Sequence, residues 1–445
     1  MALTGLQIYK LLPQTNCKEC GFPTCLAFAM KLAAKQAELS ACPYVSAESK
    51  AQLEAASQPP IRLITLSTGE RKAVAGNEIV LFRHEKTFYN RAPIFVRVQD
   101  TEADLAAKAK ELDAFNVDYV GIKLHLDGIA IENTSGDAGK FAAAVEAVRN
   151  ATSFPLILIA KEPAAFEAAM AKANGAVPMF YCADESNWQA MAEVAKKFKA
   201  PLAVKANGLD ALAALTEQVK AAGVEDIVLD PGARGFLDTL TLATQIRRLA
   251  IKKNFRPLGY PIITFPGEGV SSPDLEPVLA AQHIGKYAGF IVLDTFTPAR
   301  AYALLVLRQN IYTDPQKPIQ VQPGLYEINN PKPESPVLVT TNFSITYFSV
   351  SNEVEGAGLP AWLLVADAEG MSVLTAWAAG KFDADRIAKA VKTTGVESKI
   401  NRKRVILPGA VAVLMGEVEE ALAGWQIEVG PREAVDIPAY LKLKP

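Results

Sequence analysis

The sequence predicts an α/β protein of three domains: a small N-terminal domain with four cysteines, a (β/α)8 barrel, and a C-terminal open-sheet domain. Four of the five cysteines lie within the first 42 residues. Eight apolar strand-like runs then alternate with Ala-rich helical stretches, and a proline-rich segment separates them from a final α/β segment. The predicted boundaries are 1–57, 58–312, 313–336 for a proline-rich linker, and 337–445.

The cysteine spacing of the first domain indicates an iron–sulfur site. The run NCKECGFPTC, followed later by ACPY, supplies Cys17, Cys20, Cys25 and Cys42. Four thiolates hold a [4Fe-4S] cluster, the kind of centre that moves single electrons. Gly21 and Pro23 keep the intervening backbone in a tight loop, so that three sulfurs converge, and residues 26–39 bring the fourth.

Two alternatives compete for these cysteines. A disulfide framework needs an oxidising compartment, yet the start MALTGLQIYK lacks a basic region followed by an apolar one. A zinc site usually takes its ligands from two short knuckles, and the gap from Cys25 to Cys42 is too long for that. The iron–sulfur interpretation is favoured.

The bulk composition narrows the class of protein. A net charge of −2 gives no footprint for nucleic acid and no polybasic surface. Half of the residues are hydrophobic, but no run of about 18 apolar residues suggests a membrane span. We therefore expect a soluble cytoplasmic protein with reduced cysteines.

The middle segment predicts a closed barrel. Its eight apolar runs begin at Pro93, Val117, Pro155, Pro178, Pro201, Asp226, Pro261 and Gly289. They are apolar on both faces, as buried parallel strands are, and eight strand–helix alternations are typical of a (β/α)8 barrel. An open doubly wound sheet is the alternative.

Polar residues at the predicted strand ends mark the barrel mouth, which is the working face of such barrels. They are Lys123, His125, Lys161, Glu162, Asp184, Lys205, Asn207, Asp230, Glu268 and Asp294. They form either a catalytic ring or a set of charges that pair with one another, and we favour pairing because no spacing among them names a reaction. His125 and His283 are interpreted as structural, and Cys182 as a buried thiol.

The C-terminal segment predicts a compact open-sheet α/β domain. The runs that begin at Val337, Ala361, Asn401 and Gly424 are interpreted as strands, including all of residues 337–350. FDADRIAKAVKTTG and VAVLMGEVEEALAG are interpreted as helices with a terminal glycine. Open sheets bind ligands at the carboxyl ends of their strands, where the glycine turn at Gly370 and Pro408-Gly409 fall, although plain turns also explain these glycines.

Together, the cysteine motif, the eight-strand middle and the C-terminal segment resemble the large (gamma) subunit of the corrinoid iron-sulfur protein of the acetyl-CoA pathway. The resemblance covers essentially the whole chain, and NCKECGFPTC with ACPY is its most specific part. It implies a [4Fe-4S] cluster on the four cysteines and a cobalamin-type corrinoid on the C-terminal domain. The implied corrinoid contacts are Thr340 and Thr346 in the first strand, Gly370, Met371, Ser372, Val373 and Glu433, with Thr375 as a further candidate.

The resemblance also implies a methyl carrier rather than a free-standing enzyme. Cobalt(I) would take a methyl group from methyltetrahydrofolate through a methyltransferase and deliver it to acetyl-CoA synthase, and the cluster would reduce cobalt(II) when the cofactor oxidises. The implied partners are a small corrinoid-protein subunit, that methyltransferase, and acetyl-CoA synthase/CO dehydrogenase. A low-potential electron-transfer subunit, a pterin-dependent barrel methyltransferase that uses Asp184, Asn207 or Asp230, and a barrel with a structural metal remain as alternatives.

One property of the sequence supports the carrier independently. The three histidines are His84, His125 and His283, so the C-terminal third contains none. The domain therefore cannot bind cobalt through the histidine of an Asp-x-His-x-x-Gly motif. A cobalt without a strong axial nitrogen is easier to reduce to its nucleophilic state, which suits methyl transfer better than radical chemistry.

Overall fold

The computed structural model describes residues 4–33, 36–46, 48–50, 53, 59–69, 71–119, 122–314 and 319–443. The chain divides into two compact units. Residues 1–116 and 125–312 form the barrel unit, and residues 117–124 and 313–445 form the sheet unit. The predicted boundary at residue 57 and positions 315–318 of the predicted linker lie outside the described residues.

The N-terminal part of the barrel unit contains two short helices, α1 (Gly5–Leu11) and α2 (Cys25–Ala33). Thr4 caps α1 by accepting a hydrogen bond from the backbone of Gln7, whose side chain accepts one from the backbone of Thr4. The two helices enclose a small apolar core that includes Ile8, Leu12, Cys25, Phe28, Ala29 and Leu53. The residues that join them, 12–24, are called the cysteine loop below.

An antiparallel hairpin, β1 (Ile64–Thr68) and β2 (Arg71–Ala75), precedes the barrel. Ile64, Leu66, Ala73 and Ala75 belong to the same buried cluster as the inward residues of the barrel strands. The hairpin contacts residues at strand starts, as in the hydrogen bond from the Ser67 amide to the Val177 carbonyl. It therefore covers the amino-terminal end of the barrel, opposite the mouth.

The predicted closed barrel is confirmed, and the open-sheet alternative for this segment is wrong. The eight parallel strands are β3 (Ile94–Gln99) and, after a separate two-stranded sheet of β4 (Asn116–Tyr119) and β5 (Ile122–His125), β6 (Gly128–Glu132), β7 (Leu156–Ile159), β8 (Met179–Ala183), β9 (Leu202–Lys205), β10 (Ile227–Asp230), β11 (Ile262–Thr264) and β12 (Ala288–Leu293). Strand β12 pairs with β3 and closes the ring.

Helices follow the barrel strands and form its outer layer. They are α3 (Leu105–Ala114), α4 (Ala138–Ala151), α5 (Pro163–Met170), α6 (Trp188–Phe198), α7 (Leu209–Ala221), α8 (Phe236–Lys252), α9 (Glu276–Gly285) and α10 (Pro298–Ile311). Several begin at a side chain that accepts a backbone N–H, such as Asp104, Asp137 and Thr297. Local sequence thus sets where these helices start.

The predicted second barrel strand is wrong. Residues 117–124 belong to the sheet unit, and the second barrel strand is β6, so Lys123 and His125 do not lie at the end of a barrel strand. Strand β6 begins at Gly128. A glycine is required at this position because a Cβ there would collide with the Phe95 ring and the Pro155 carbonyl. Both segments are short apolar runs, and hydrophobic periodicity alone does not distinguish them.

The sheet unit is an open five-stranded sheet, as the sequence predicted. Its strands are β13 (Gly324–Ile328), β14 (Val337–Thr341), β15 (Ala361–Ala366), β16 (Arg404–Leu407) and β17 (Gln426–Val429), in the order β13-β15-β14-β16-β17. Only β13 is antiparallel to its neighbour, and it arises from the proline-rich segment. Part of that segment is therefore an edge strand, where prolines on either side are tolerated.

Helices cover both faces of this sheet. They are α11 (Ser344–Gly356), α12 (Val373–Ala378), α13 (Ala384–Thr394), α14 (Met415–Ala421) and α15 (Ile437–Leu443). One buried core contains residues of α12, α13 and α14, and a second core on the opposite face contains residues of α11 and α15. The predicted helix in FDADRIAKAVKTTG is confirmed, with Gly395 left-handed (φ 65°) directly after it.

Two predicted elements of the sheet unit differ from the structure. The strand predicted over 337–350 ends at Thr341, and α11 occupies its second half, so the placement of Thr346 on a strand is wrong. The helix predicted in VAVLMGEVEEALAG begins as a 3-10 segment with a kink at Val411 and becomes α14 only at Met415. Across the parts of the chain described here, no helix has the length and apolarity needed to cross a bilayer.

Candidate cofactor sites

The cysteine loop has an irregular backbone that suits an anionic centre. Four of its residues, Gln14, Asn16, Lys18 and Gly21, have φ between 51° and 82°. Alternation of right- and left-handed residues turns successive backbone N–H groups toward one side, an arrangement found around iron–sulfur clusters. A glycine is needed at Gly21 (φ 82°) because other residues rarely adopt that conformation.

Contacts place the first and third cysteines next to each other. The Cys25 amide donates to Oδ1 of Asn16 at 2.8 Å, and the Asn16 amide donates to Sγ of Cys25 at 3.4 Å. Cys17 follows Asn16 directly in the chain. Cys25 is buried, Cys20 and Cys42 are half-buried, and Cys17 is exposed.

The fourth cysteine is tied to the first two through Tyr44, which follows it by two residues. The Tyr44 hydroxyl donates to Oε1 of Glu19 at 2.8 Å. The pKa of Tyr44 is raised, first by the hydrogen bond and charge of Glu19 and further by the nearby Cys17 and Cys42 thiols. One electrostatic neighbourhood thus joins the two ends of the motif.

The donor set fits a cluster better than a single ion. Within the described residues, no three His, Cys, Asp or Glu side chains are grouped tightly enough to hold one metal ion. A zinc ion requires four ligands to converge on one atom, whereas a [4Fe-4S] cube offers a different iron to each cysteine. Four neighbouring but separated thiols, with N–H groups beside them, have the chemistry for the cube.

The second candidate site is the carboxyl edge of the sheet unit, defined by the residues that directly follow β14 to β17. Because these four strands are parallel, their carboxyl ends meet at one edge. The loops after β16 and β17 touch there: a Cβ on Gly409 would collide with the backbone of Gly430, Pro431 and Arg432. We call the surface formed by the loops after β14 to β17 the ledge.

Asn342 organises this edge, and sequence reasoning missed it. It is buried (1% exposed) directly after β14. Its Oδ1 accepts from the amides of Ala368 (2.9 Å) and Gly370 (3.0 Å), and its Nδ2 donates to Gln320 and Asp367 (both 3.3 Å). One side chain therefore fixes the loop after β15 to the end of β14. An asparagine after an apolar strand is a weak signal that no sequence pattern singles out.

The residues implied by the resemblance occupy different parts of this edge. Thr340 is buried at the end of β14, whereas Thr346 lies in the first turn of α11. Gly370 is buried and left-handed (φ 75°), and a side chain there would collide with Gln320. Met371, Ser372 and Val373 are half-buried in the turn that starts α12, Thr375 is exposed on that helix, and Glu433 is exposed in the loop after β17.

Two features of the edge favour a largely apolar ligand that carries a few polar groups. Thr340 and Thr341 have buried hydroxyl oxygens without a hydrogen-bond partner among the described residues. Large apolar side chains are exposed in the segments that follow the four strands: Ile345, Leu374, Trp377, Val413, Met415 and Val435. We call these six residues the apolar rim. Large exposed apolar side chains in the segments at one sheet edge favour a binding surface, and the face of a corrin ring is largely apolar.

The barrel mouth is filled by paired charges, as the favoured interpretation predicted. Arg234 forms two hydrogen bonds to the fully buried Asp230 (2.9 and 2.8 Å) and one to Glu268 (2.7 Å). Arg97 pairs with Glu268 (2.8 Å) and Asp294 (2.7 Å). Burial by itself would lower the pKa of Arg234, but hydrogen bonds and charge from Asp230 raise it overall.

Tyr181 and Phe265 complete this network. The Tyr181 hydroxyl donates to Asp230 at 2.6 Å, and burial together with the Asp230 charge raises its pKa well above the usual value. The Phe265 ring lies beneath both guanidinium groups, 5.7 Å from Arg97 and 5.4 Å from Arg234. The carboxylate of Asp230 is therefore already bound by protein groups, namely the guanidinium of Arg234 and the hydroxyl of Tyr181.

Two of the remaining strand-end residues, Asp184 and Asn207, contact neighbouring protein groups. Asp184 accepts hydrogen bonds from Ser186 in its own loop, and Asn207 packs against Gly232. Cys182 is half-buried rather than fully buried, and burial followed by the charge of Asp230 raises its pKa to about 12. His283 is buried, and burial followed by the charge of Arg234 lowers its pKa to about 4, which fits a structural histidine.

The fold and these sites define a class: a protein that combines a four-cysteine segment, a closed eight-stranded barrel and an open-sheet α/β unit. Residues 63–441 match the family described as "CO dehydrogenase/acetyl-CoA synthase delta subunit". Residues 12–44 match a family described as "Putative Fe-S cluster".

Curated relatives match over almost the full chain. The chain is 46% identical to the "Corrinoid/iron-sulfur protein large subunit" of Moorella thermoacetica, covering 99% of both proteins. It is 37% identical to the "Acetyl-CoA decarbonylase/synthase complex subunit gamma" of Methanosarcina acetivorans, covering 98% of this chain and 97% of that protein. The corresponding subunit of Methanopyrus kandleri is 35% identical, with 99% and 97% covered. The chain belongs to the family of corrinoid/iron-sulfur protein large subunits, which includes the gamma subunits of the acetyl-CoA decarbonylase/synthase complex.

Proposed function

We propose that the chain is a methyl-carrier subunit with two cofactors. A [4Fe-4S] cluster is held by Cys17, Cys20, Cys25 and Cys42, and a corrinoid lies on the carboxyl edge of the sheet unit. The observation that carries the proposal is that edge itself. It combines a loop fixed by Asn342, buried threonine oxygens with no hydrogen-bond partner within the described residues, and the apolar rim.

A bound corrinoid would supply a nucleophilic cobalt for methyl transfer between methyltetrahydrofolate, presented by a methyltransferase, and acetyl-CoA synthase. The chain contributes the surroundings. Asn342 keeps the loop of Gly370 to Val373 in one conformation, so the ledge is formed before the ligand arrives. The rim covers apolar ligand surface, and each 100 Å² so covered stabilises the complex by about 2.5 kcal/mol before binding costs.

The absence of histidine from the C-terminal third bears on the lower face of the ligand. The C-terminal third offers no imidazole, so hydroxyl and apolar groups would hold the ring there. We propose that Thr340, Thr346 and Thr375 would be among these residues, together with Ser372 and Glu433. These groups form hydrogen bonds and are weak ligands for the metal.

A bound cluster, held by the four cysteines, would supply single electrons for reduction of an oxidised corrinoid. The thiol ligands require a reducing compartment, which fits the cytoplasm. We further propose three kinds of partner: a small corrinoid-protein subunit, the methyltransferase, and acetyl-CoA synthase/CO dehydrogenase. The printed names of the relatives support assembly, because several are subunits of a decarbonylase/synthase complex.

The barrel mouth argues against the pterin-dependent alternative. That alternative needs Asp230, Asn207 or Asp184 to be available, yet Asp230 is fully buried and bound by Arg234 and Tyr181. Breaking a buried charged pair of this kind costs about 3–5 kcal/mol, which a ligand would have to offset. The paired charges at its mouth fit a structural role for the barrel.

The test follows a labelled methyl group. Anaerobically reduced protein is incubated with methyl-labelled methyltetrahydrofolate, with and without a separate methyltransferase. The carrier predicts label on protein-bound corrinoid only when the methyltransferase is present. Label uptake by the chain alone would favour the pterin-dependent barrel, and a protein with iron but no cobalt would leave an electron-transfer subunit.

A pair of variants locates the corrinoid. Leu374→Glu places a charge on the apolar rim, where Leu374 is 51% exposed, and should lower the cobalt retained after gel filtration at least about tenfold because the charge must be desolvated. Leu443→Glu is the matched control, since Leu443 is 83% exposed at the end of α15, away from the carboxyl edge. Equal cobalt in both variants would exclude this face.

A further inference from the structure

We propose that Asn16 is a positioning residue for the cluster: its side chain fixes the backbone of Cys25, and its own amide donates a hydrogen bond to the Cys25 sulfur. The inference rests on the proposed binding of a [4Fe-4S] cluster. It goes beyond it by assigning to a residue that is not a ligand the control of how one ligand meets the cluster.

The geometry is a reciprocal pair across nine residues. The Cys25 amide, the first of α2, donates to Oδ1 of Asn16 at 2.8 Å. The Asn16 amide donates back to Sγ of Cys25 at 3.4 Å, within the range of hydrogen bonds to sulfur. Cys25 is only 6% exposed, so water competes little for either bond. The two bonds fix both the main chain and the sulfur of the same residue.

The backbone explains why this residue is asparagine. Asn16 has φ 51°, in the left-handed region that asparagine and glycine adopt most readily. This conformation turns the backbone N–H of Asn16 toward Cys25, while its short side chain reaches the start of α2. A glycine at position 16 would keep the backbone conformation and lose the side-chain carboxamide. Aspartate would keep an acceptor oxygen but place a negative charge next to the cluster.

The consequence concerns the reduction potential. Hydrogen bonds to cysteine sulfur are one of the terms that set the potential of an iron–sulfur cluster. An N–H group directed at the sulfur favours the more negative, reduced form and raises the potential. Loss of the Asn16 side chain frees the loop, weakens this bond, and so lowers the potential. It also exposes the Cys25–iron bond to competing ligands.

The experiment compares three variants of the full chain, purified without oxygen. Asn16→Gly removes the amide and keeps the left-handed backbone; Asn16→Asp restores the acceptor. Thr24→Ala is the matched control, because Thr24 accepts from the Ala27 amide (3.0 Å) in the same first turn of α2 and does not touch the sulfur. The readouts are the cluster midpoint potential, from a redox titration followed by electron paramagnetic resonance, and the rate of bleaching by an iron chelator.

We expect Asn16→Gly to lower the midpoint potential and to bleach about fivefold faster, the equivalent of one lost hydrogen bond of about 1 kcal/mol. Asn16→Asp should bleach at nearly the wild-type rate while its potential falls, because the added charge opposes reduction. Thr24→Ala should keep the wild-type potential.

An unchanged potential in Asn16→Gly, or the same change in Thr24→Ala, would overturn the inference by reducing Asn16 to a helix cap. In either case an intact cluster leaves the proposed function standing. A wild-type chain that binds no iron would overturn both.

Discussion

The substitution Asn342→Ala tests whether one buried amide holds the carboxyl edge together. It leaves the amides of Ala368 and Gly370 buried without an acceptor. A buried N–H that loses its partner costs about 1–3 kcal/mol. Two such groups, partly compensated by water, should destabilise the loop by about 2–4 kcal/mol. At 1.4 kcal/mol for each factor of ten, their amide hydrogens should exchange about 30- to 1000-fold faster.

The assay is hydrogen exchange of the whole protein, read by mass spectrometry on peptides that contain residues 367–372. The matched control is Asn329→Gly. Asn329 also ties loops together in the sheet unit, but it does so by donating to the carbonyls of Val354, Glu355 and Leu359, remote from the carboxyl ends. Glycine keeps its left-handed backbone (φ 55°).

The control should accelerate exchange near Leu359 and leave residues 367–372 protected. Wild-type protection of residues 367–372 in Asn342→Ala would refute the reasoning. It would show that the loop holds its conformation through other contacts, and that the ledge proposed for the corrinoid does not depend on Asn342.

Three further predictions concern the barrel unit, each measured by urea unfolding followed by circular dichroism. Gly128→Ala should lower the free energy of unfolding by about 1–3 kcal/mol because its Cβ meets packed atoms, whereas Gly285→Ala meets nothing within 4 Å and should be neutral or stabilising; equal effects would contradict the register of β6. Arg234→Met should cost about 3–5 kcal/mol because the fully buried Asp230 loses its ion-pair partner, and a loss below 1 kcal/mol would contradict the network. Burial lowers the pKa of His283 to about 4, so the unfolded chain binds a proton from about pH 6.5 downward while the folded chain does not. The free energy of unfolding should therefore be unaffected above that pH and should fall below it, by about 2 kcal/mol at pH 5. His283→Gln should remove this part of the pH dependence, and an unaltered pH profile would contradict the assignment.

Local chemistry made much of the fold predictable. The cysteine motif, the alternation of apolar strands with Ala-rich helices, and the stop signal at Gly395 each act within a few residues of chain. These features can be predicted from the sequence because the interactions that produce them involve residues close together in the chain. The charges at the barrel mouth were also predictable, because Asp230, Glu268 and Asp294 lie at or shortly after the ends of apolar strands.

The second barrel strand could not be predicted because long-range packing decides it. Residues 117–124 resemble a buried strand, but they belong to the sheet unit. In the sheet unit, burial and, to a smaller extent, the charge of the nearby Asp118 raise the pKa of Tyr326. Burial and the same charge also contribute to raising the pKa of Tyr347 to about 12. A partner some 200 residues away leaves no local trace.

The carboxyl edge was only half predictable for a related reason. The turn at Gly370 is a local feature, whereas the role of Asn342 depends on two other segments that meet it in space, Gln320 and the loop after β15. The same residue explains why the strand predicted over 337–350 ends early: its side chain binds the neighbouring loop, and α11 begins two residues later. Side-chain bonds of this kind compete with the strand ladder.

The most direct test of the account is the metal content of the chain purified without oxygen together with its small-subunit partner. The account predicts about four iron atoms and about one cobalt per chain, with the cobalt lost in Leu374→Glu and the iron lost when Cys25 is replaced by alanine. Zinc in place of iron, or iron without any cobalt, would contradict it.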